Sequence, residues 1–276
     1  MNRDDWQNLP LGKETRYESA YNPQLLHPIQ RSISRAHLGL SGDALPFFGE
    51  DEWWGFELSW LNPKGKPQVA VARFTFPAAS PNMVESKSFK LYLNSFNQTE
   101  FASWDAVRET LEKDLRAAAG APVIATLYDV EDAALAVARP QGYCLDQLDI
   151  DARQYQPDAA LLALDARNER VSETLYSHLL RSNCPVTGQP DWATVSIEYR
   201  GPALKREALL AYIISFREHQ DFHEHCVERI FCDLQRLADF DELTVCARYT
   251  RRGGLDINPL RSTLRNKRLP PRFARQ

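Results

Sequence analysis

Cysteine is scarce here and its count is odd: five residues in a chain of 276. A disulfide framework is not expected from such usage, and reduced thiols are. No CxxC pair is present, which removes the commonest structural zinc pattern. No GxGxxG follows a strand-like segment, so nothing supports a Rossmann site, and a nicotinamide would have to bind in another way. No apolar run approaches the length of a bilayer span. The opening Met1-Asn2-Arg3-Asp4-Asp5-Trp6 lacks the basic and apolar regions of a signal peptide, and a cytoplasmic protein is expected.

What is present is ordinary in bulk: 43% hydrophobic and 25% charged, enough for one large domain or two of usual size. The net charge of −4 is unevenly spread. From Arg248 to the end stand nine Lys or Arg residues against one acid, Asp256. Such a run is either a solvated tail or a phosphate-binding surface. With Phe273 as its only aromatic beyond Tyr249, it suits a phosphate-bearing small molecule better than single-stranded nucleic acid.

Laid against itself at an offset near 120, the chain repeats. Lys66-Pro67-Gln68-Val69-Ala70 leading to Arg73-Phe74-Thr75-Phe76 answers Gln189-Pro190-Asp191-Trp192-Ala193 leading to Ser196-Ile197-Glu198-Tyr199. Leu91-Tyr92-Leu93-Asn94-Ser95-Phe96 answers Ala211-Tyr212-Ile213-Ile214-Ser215-Phe216. Each copy reads strand, turn, strand, helix, helix, strand. In the first, Trp54 to Leu61 and Val69 to Phe76 pair around Asn62-Pro63-Lys64-Gly65. Ser103 caps a helix through Leu115 with Gly120 past its end, and Val123 to Val130 is a strand. In the second, Val171 to Leu180 is a strand by the repeat although propensity alone allows a helix. Trp192 to Tyr199 follows, Asp221 caps a helix whose apolar side carries Cys226, Ile230, Phe231, Leu234 and Leu237, and Leu243 to Tyr249 closes the unit. The class is α+β, in modules 1–140 and 169–276 joined by a connector, 141–168.

The copies differ in their polar groups. Glu85-Ser86-Lys87 is matched by Lys205-Arg206-Glu207, and His223-Glu224 stands where the first copy has Ala102-Ser103. Cys184 has no counterpart, and Asp191 is matched by Gln68. That is the pattern of one site assembled from both halves. In Ser182-Asn183-Cys184-Pro185-Val186-Thr187-Gly188-Gln189-Pro190-Asp191-Trp192 a thiol precedes a Pro- and Gly-punctuated turn that brings a carboxylate back towards it. A nucleophile beside a proton donor is what addition to an electrophilic carbon requires; a buried, inert cysteine is the plainer alternative. Glu85 and Glu224 suit a ligand with adjacent N–H donors, such as the edge of a guanine-like base, or are surface glutamates. His223 orients a substrate, relays a proton, or is solvated at a helix start. His219, His223, His225 and Cys226 are metal-ligating types, but His223 and His225 diverge on a helix and Cys226 belongs to its apolar stripe. Arg251-Arg252-Gly253-Gly254 is either a phosphate clamp or a turn.

Several of these segments resemble the NADPH-dependent 7-cyano-7-deazaguanine reductases, the nitrile reductases of queuosine biosynthesis, in their two-module form. The resemblance lies in Glu85-Ser86-Lys87-Ser88-Phe89-Lys90-Leu91-Tyr92, Asn183-Cys184-Pro185-Val186-Thr187, Pro190-Asp191-Trp192, Phe222-His223-Glu224 and Arg252-Gly253-Gly254-Leu255-Asp256-Ile257-Asn258-Pro259. It begins near Leu11-Gly12-Lys13-Glu14-Thr15 and Tyr21-Asn22-Pro23-Gln24-Leu25-Leu26, and departs at Gln30-Arg31, where Pro-Arg is expected. It implies a tunnelling fold (T-fold) of two duplicated modules, a homodimer, and a free-base substrate rather than nucleic acid. Cys184 would attack the nitrile carbon to give a thioimidate, and Asp191 would protonate the nitrogen. Val84, Glu85, Ser86, His223 and Glu224 would hold the deazaguanine; Ser86, Lys87, Arg252 and Gly253 would contact NADPH, with no metal. Two successive hydride transfers would follow, first to the thioimidate and then to an imine. The rival expectations are a zinc-dependent tunnelling-fold pterin enzyme, a purine-binding module without catalysis, and a cysteine hydrolase of nitriles.

Overall fold

A computed structural model of the chain describes residues 17–40, 44–167 and 169–276. The opening Met1–Trp6, the match at Leu11-Gly12-Lys13-Glu14-Thr15 and the last connector residue, Asn168, lie outside the described residues. The elements run β1 (Pro28–Gln30), α1 (Arg31–His37), β2 (Phe48–Leu61), β3 (Pro67–Pro77), β4 (Asn82–Val84), α2 (Ser86–Asn94), α3 (Trp104–Ala119) and β5 (Ile124–Tyr128). A stretch with only β6 (Tyr143–Cys144) and short 3-10 turns follows. The second half holds β7 (Arg170–Asn183), β8 (Pro190–Pro202), α4 (Arg206–Ser215), α5 (His223–Leu237), β9 (Glu242–Tyr249) and β10 (Leu255–Ser262). The fold is α+β. No helix among the described residues is long and apolar enough to cross a membrane.

One eight-stranded sheet runs β5-β3-β2-β10-β9-β8-β7-β6, antiparallel throughout except for β6 with β7. The two long hairpins are built alike. β2 and β7 each have 14 residues, with a register shift at Gly55/Leu58 in one and at Ser177/Leu180 in the other. Tyr92 of α2 donates its hydroxyl to Asp114 of α3 at 2.7 Å, and Tyr212 of α4 donates to Asp233 of α5 at the same distance. Ser95 and Ser215 each donate to the carbonyl of their tyrosine at 2.6 Å. Apolar residues of β2, β3 and β5 close one core under α2 and α3; those of β7, β8 and β9 close another under α4 and α5.

The expected strands and helices are all present, Val171 to Leu180 as strand included. Ser103 caps α3 by accepting from Ala106 N–H, and Gly120 ends it at φ +70°. Three features differ from the sequence reading. Phe222, not Asp221, is the residue before α5; the Asp221 carboxylate accepts from the Phe222 and His225 N–H groups instead. The second unit does not close at β9, because β10 continues it and joins β9 to β2 in the middle of the sheet. The basic run is no free tail. Arg248, Arg261 and Arg272 are buried, Lys267 pairs with Glu198, and Arg272 lies over the rings of Trp54 and Phe56.

Candidate active site

The β7–β8 hairpin sets the first two groups. Its register places Ser182 opposite Asp191 and Asn183 opposite Pro190, so Cys184 opens the connecting turn and Asp191 stands just after it. Gln189 C=O accepts from Cys184 N–H at 2.8 Å, Cys184 C=O accepts from Gly188 N–H at 3.0 Å, and Gly188 makes the turn at φ +69°. A non-glycine residue adopts that backbone only with strain. The neighbouring chain is tied down as well: Asn183 N–H donates to His219 C=O at 2.7 Å, and Asp221 N–H donates to Asn183 C=O at 3.1 Å.

Cys184 and Asp191 face a narrow cavity of about 20 Å³ shared with Trp53, Val84, Ser86, Asp221, His223, Glu224 and Arg252. Cys184 is only 3% exposed. The Asp191 carboxylate sits between His223 Nε2 at 3.3 Å and Arg252 NH1 at 3.2 Å. Burial pushes Asp191 up, but the His223 and Arg252 charges outweigh it and hold the group below the usual carboxylate range. His223 is itself fixed in plane, its ring stacked on Tyr249 at 3.8 Å and 5°. Glu224, in the first turn of α5, is buried; desolvation and the charge of Asp51 raise its pKa, while Arg31 and His223 work against the rise.

An outer cleft of about 240 Å³ adjoins the cavity, with Ser86, His223, Arg252 and Ile257 on both. It adds Lys87, Lys90, Gly253, Thr187 and Gln189. Gly253 has φ +60°, and a Cβ there would come within 2.4 Å of Lys90 Nζ, so only glycine lets the ammonium lie over the turn. Two lysines, an arginine and open backbone make a donor set suited to phosphates.

Nine of the ten sequence-predicted site residues line the cavity or the cleft: Val84, Ser86, Lys87, Cys184, Asp191, His223, Glu224, Arg252 and Gly253. Glu85 lines neither. Its two oxygens accept from the N–H groups of Lys87 at 2.8 Å and Ser88 at 2.7 Å, capping α2. The histidines of the metal test are spent on carboxylates, His219 and His225 on Asp221 and His223 on Asp191, and burial pushes the Cys226 thiol up. Among the described residues, the group that brings metal-ligand atoms together is Cys144, Asp146 and His178. It lines neither cavity, and Asp146 already accepts from Ser177 Oγ at 2.6 Å and His178 N–H at the β7 bulge.

The family model described as nitrile reductase, 7-cyano-7-deazaguanine-reductase N-term, matches residues 17–127, and that of QueF-like protein matches residues 190–268. The NADPH-dependent 7-cyano-7-deazaguanine reductase of Chromohalobacter salexigens is 58% identical over 98% of this chain and 97% of its own. The chain belongs to the 7-cyano-7-deazaguanine reductase family. Proteins of the same name from Dechloromonas aromatica and Azoarcus sp. are 59% and 55% identical, over 92% and 94% of this chain and 90% and 92% of theirs.

Sequence reasoning gave no part in the site to Asp221, which lines the cavity, or to Lys90, which lines the cleft. Lys90 had a signal, since it stands three residues after Lys87 and so shares its face of α2. Asp221 was read only as a cap; that its carboxylate also lines the cavity depends on the tie between residues 219–221 and Asn183, which no local pattern announces.

Proposed function

We propose that the chain reduces the nitrile of 7-cyano-7-deazaguanine to the 7-aminomethyl base, with NADPH, through a covalent thioimidate on Cys184, in queuosine biosynthesis. The observation that carries the reading is Cys184 in one narrow cavity with an ionised Asp191 and the carboxylic group of Glu224. A nitrile accepts hydride poorly until a thiolate has added to it. Asp191, held ionised by its two neighbours, takes the proton of the Cys184 thiol. The thiolate forms a bond to the nitrile carbon, one π pair moves to nitrogen, and Asp191 returns the proton there. His223 and Arg252 stabilise the carboxylate before that transfer and hold its oxygens towards the turn. Glu224 accepts from the N–H edge of the base, while Val84 and Ser86 line the same wall. Seating a bicyclic ring requires the narrow cavity to part.

The residues of the outer cleft fit a phosphate-bearing dinucleotide: Ser86, Lys87, Arg252 and Gly253 would hold it, next to the cavity containing Cys184. When bound, NADPH supplies hydride, and two equivalents account for the four electrons. Glu85 joins the substrate set only if its carboxylate leaves the α2 cap. We read residues 1–140 and 169–276 as tunnelling-fold modules related by duplication and joined by 141–168. Support comes from the paired bulges and the paired tyrosine–aspartate bonds. A homodimer acting in the cytoplasm on the free base, without nucleic acid, completes the reading on the strength of the family resemblance.

The test is Cys184→Ala. Turnover is expected to vanish while 7-cyano-7-deazaguanine binding, read by calorimetry, persists; steady-state reduction by that variant would refute the covalent route.

A further inference from the structure

Helices α1 and α5 present matched charges at helical spacing: Arg31 and Arg35 on one, Glu224 and Glu228 on the other. The second pair is closed. Arg35 grips Glu228 with Nε at 3.0 Å and NH2 at 2.7 Å. The first pair is open. Arg31 spends NH2 on Asp51 at 2.5 Å and Nε on Ser80 at 3.1 Å, and its NH1 is buried without a hydrogen-bond partner. Arg261 bridges Asp51 and Glu228, so the buried chain holds Arg31, Arg35 and Arg261 against those two carboxylates. It is one negative charge short. Glu224, 2% exposed, lies one helical turn before Glu228 on α5. The groups acting on it are Arg31 from α1, Asp51 from β2 and His223 on its own helix. Asp51, which pairs with Arg31 and Arg261, works against the ionisation of Glu224.

We propose that Arg31 is a positioning residue for Glu224, its open guanidinium edge supplying the counter-charge that keeps this carboxylate ionised and held towards the donor edge of the substrate. The proposal rests on the reading of Glu224 as a substrate-binding group. An isolated buried carboxylate takes up a proton, and a protonated one loses an acceptor for adjacent N–H donors. Arg31 opposes that without touching the reacting carbon. The Gln30-Arg31 departure from the family pattern thus leaves the functional half of the dipeptide in place.

Binding of 7-cyano-7-deazaguanine is measured by calorimetry across pH in the Cys184→Ala protein, so that no adduct forms. Arg31→Met is expected to weaken binding about tenfold at neutral pH, the equivalent of one pKa unit. The acid limb of binding moves to higher pH, because Glu224 without Arg31 protonates sooner. Arg31→Lys restores most of the affinity. In a Glu224→Gln background Arg31→Met is expected to add no further loss, and NADPH affinity stays unchanged throughout. An equal loss in both backgrounds, or no loss in either Arg31 variant, overturns the proposal alone. A Glu224→Gln protein that binds as tightly as its parent overturns the substrate reading of Glu224, and the proposal with it. If Arg31→Met does not fold, Arg31→Gln is measured in its place, and an unshifted acid limb in that folded variant overturns the proposal.

Discussion

Asp191 is charged before substrate arrives, and this decides how it can act. Burial alone would favour its acid form, but His223 and Arg252 reverse the sign. The ionised form is therefore present above its lowered pKa and is lost as pH falls through it, so the acid limb of kcat/KM lies below the usual carboxylate range. Arg252→Met removes the guanidinium beside Asp191 and is expected to move that limb upward, visible in the pH profile at saturating NADPH. Asp191→Asn removes the proton carrier and is expected to lower kcat by about 10²–10⁴-fold, with substrate affinity much less affected. Both residues were legible in the sequence, since Cys184 and Asp191 flank a short turn of Pro185, Thr187 and Gly188 whose chemistry is local. Arg31 was not. Its part depends on packing α1 against α5, 193 residues apart at the Arg35–Glu228 contact.

The α2 terminus shows why an element can be read correctly and its residue differently. The motif from Glu85 to Tyr92 announces a helix, and Glu85 was assigned to the ligand. In the folded chain the same carboxylate satisfies two N–H groups that would otherwise lack partners, with Ser88 Oγ–H donating back to the Glu85 carbonyl at 2.7 Å. Glu85→Ala is expected to cost about 1 kcal/mol of stability through the lost cap, read as a lower urea midpoint. An unchanged midpoint would mean the cap contributes nothing. Among the strands longer than three residues, β10 escaped the sequence reading, for a physical reason. All eight of its residues are buried, so it has no polar alternation, and Asp256, Pro259 and Arg261 speak against a central strand. Partners elsewhere offset them: Asn258 donates to Asp256 at 2.6 Å, and Arg261 meets Asp51 and Glu228. The hairpins were legible because one face of each alternates and Asn62-Pro63-Lys64-Gly65 and Gly188 mark their turns.

At the scale of the whole molecule, β10 and the buried charge chain do the same job. Arg31 and Arg35 of α1, Asp51 of β2, Arg261 of β10 and Glu228 of α5 tie the first half to the second. Removing one partner from such a set leaves charges buried without compensation. Arg261→Met is therefore expected to lower stability by about 3–5 kcal/mol in urea unfolding, far more than a surface arginine. Asp51 and Glu228 are both pushed up by burial, but their arginines hold them lower, Glu228 to about 2. Their contribution is complete above the ordinary carboxylate pKa and is lost as pH falls towards 2, so unfolding midpoints should drop through that window.

The central claim is that Cys184 forms a bond to the nitrile carbon. The protein is mixed with 7-cyano-7-deazaguanine without NADPH, and its intact mass is taken, followed by peptide mapping. The account predicts a gain of the nitrile's mass on the peptide containing Cys184, reversed when NADPH is added. Folded protein with a free Cys184 thiol and bound ligand, but no mass gain, would contradict it.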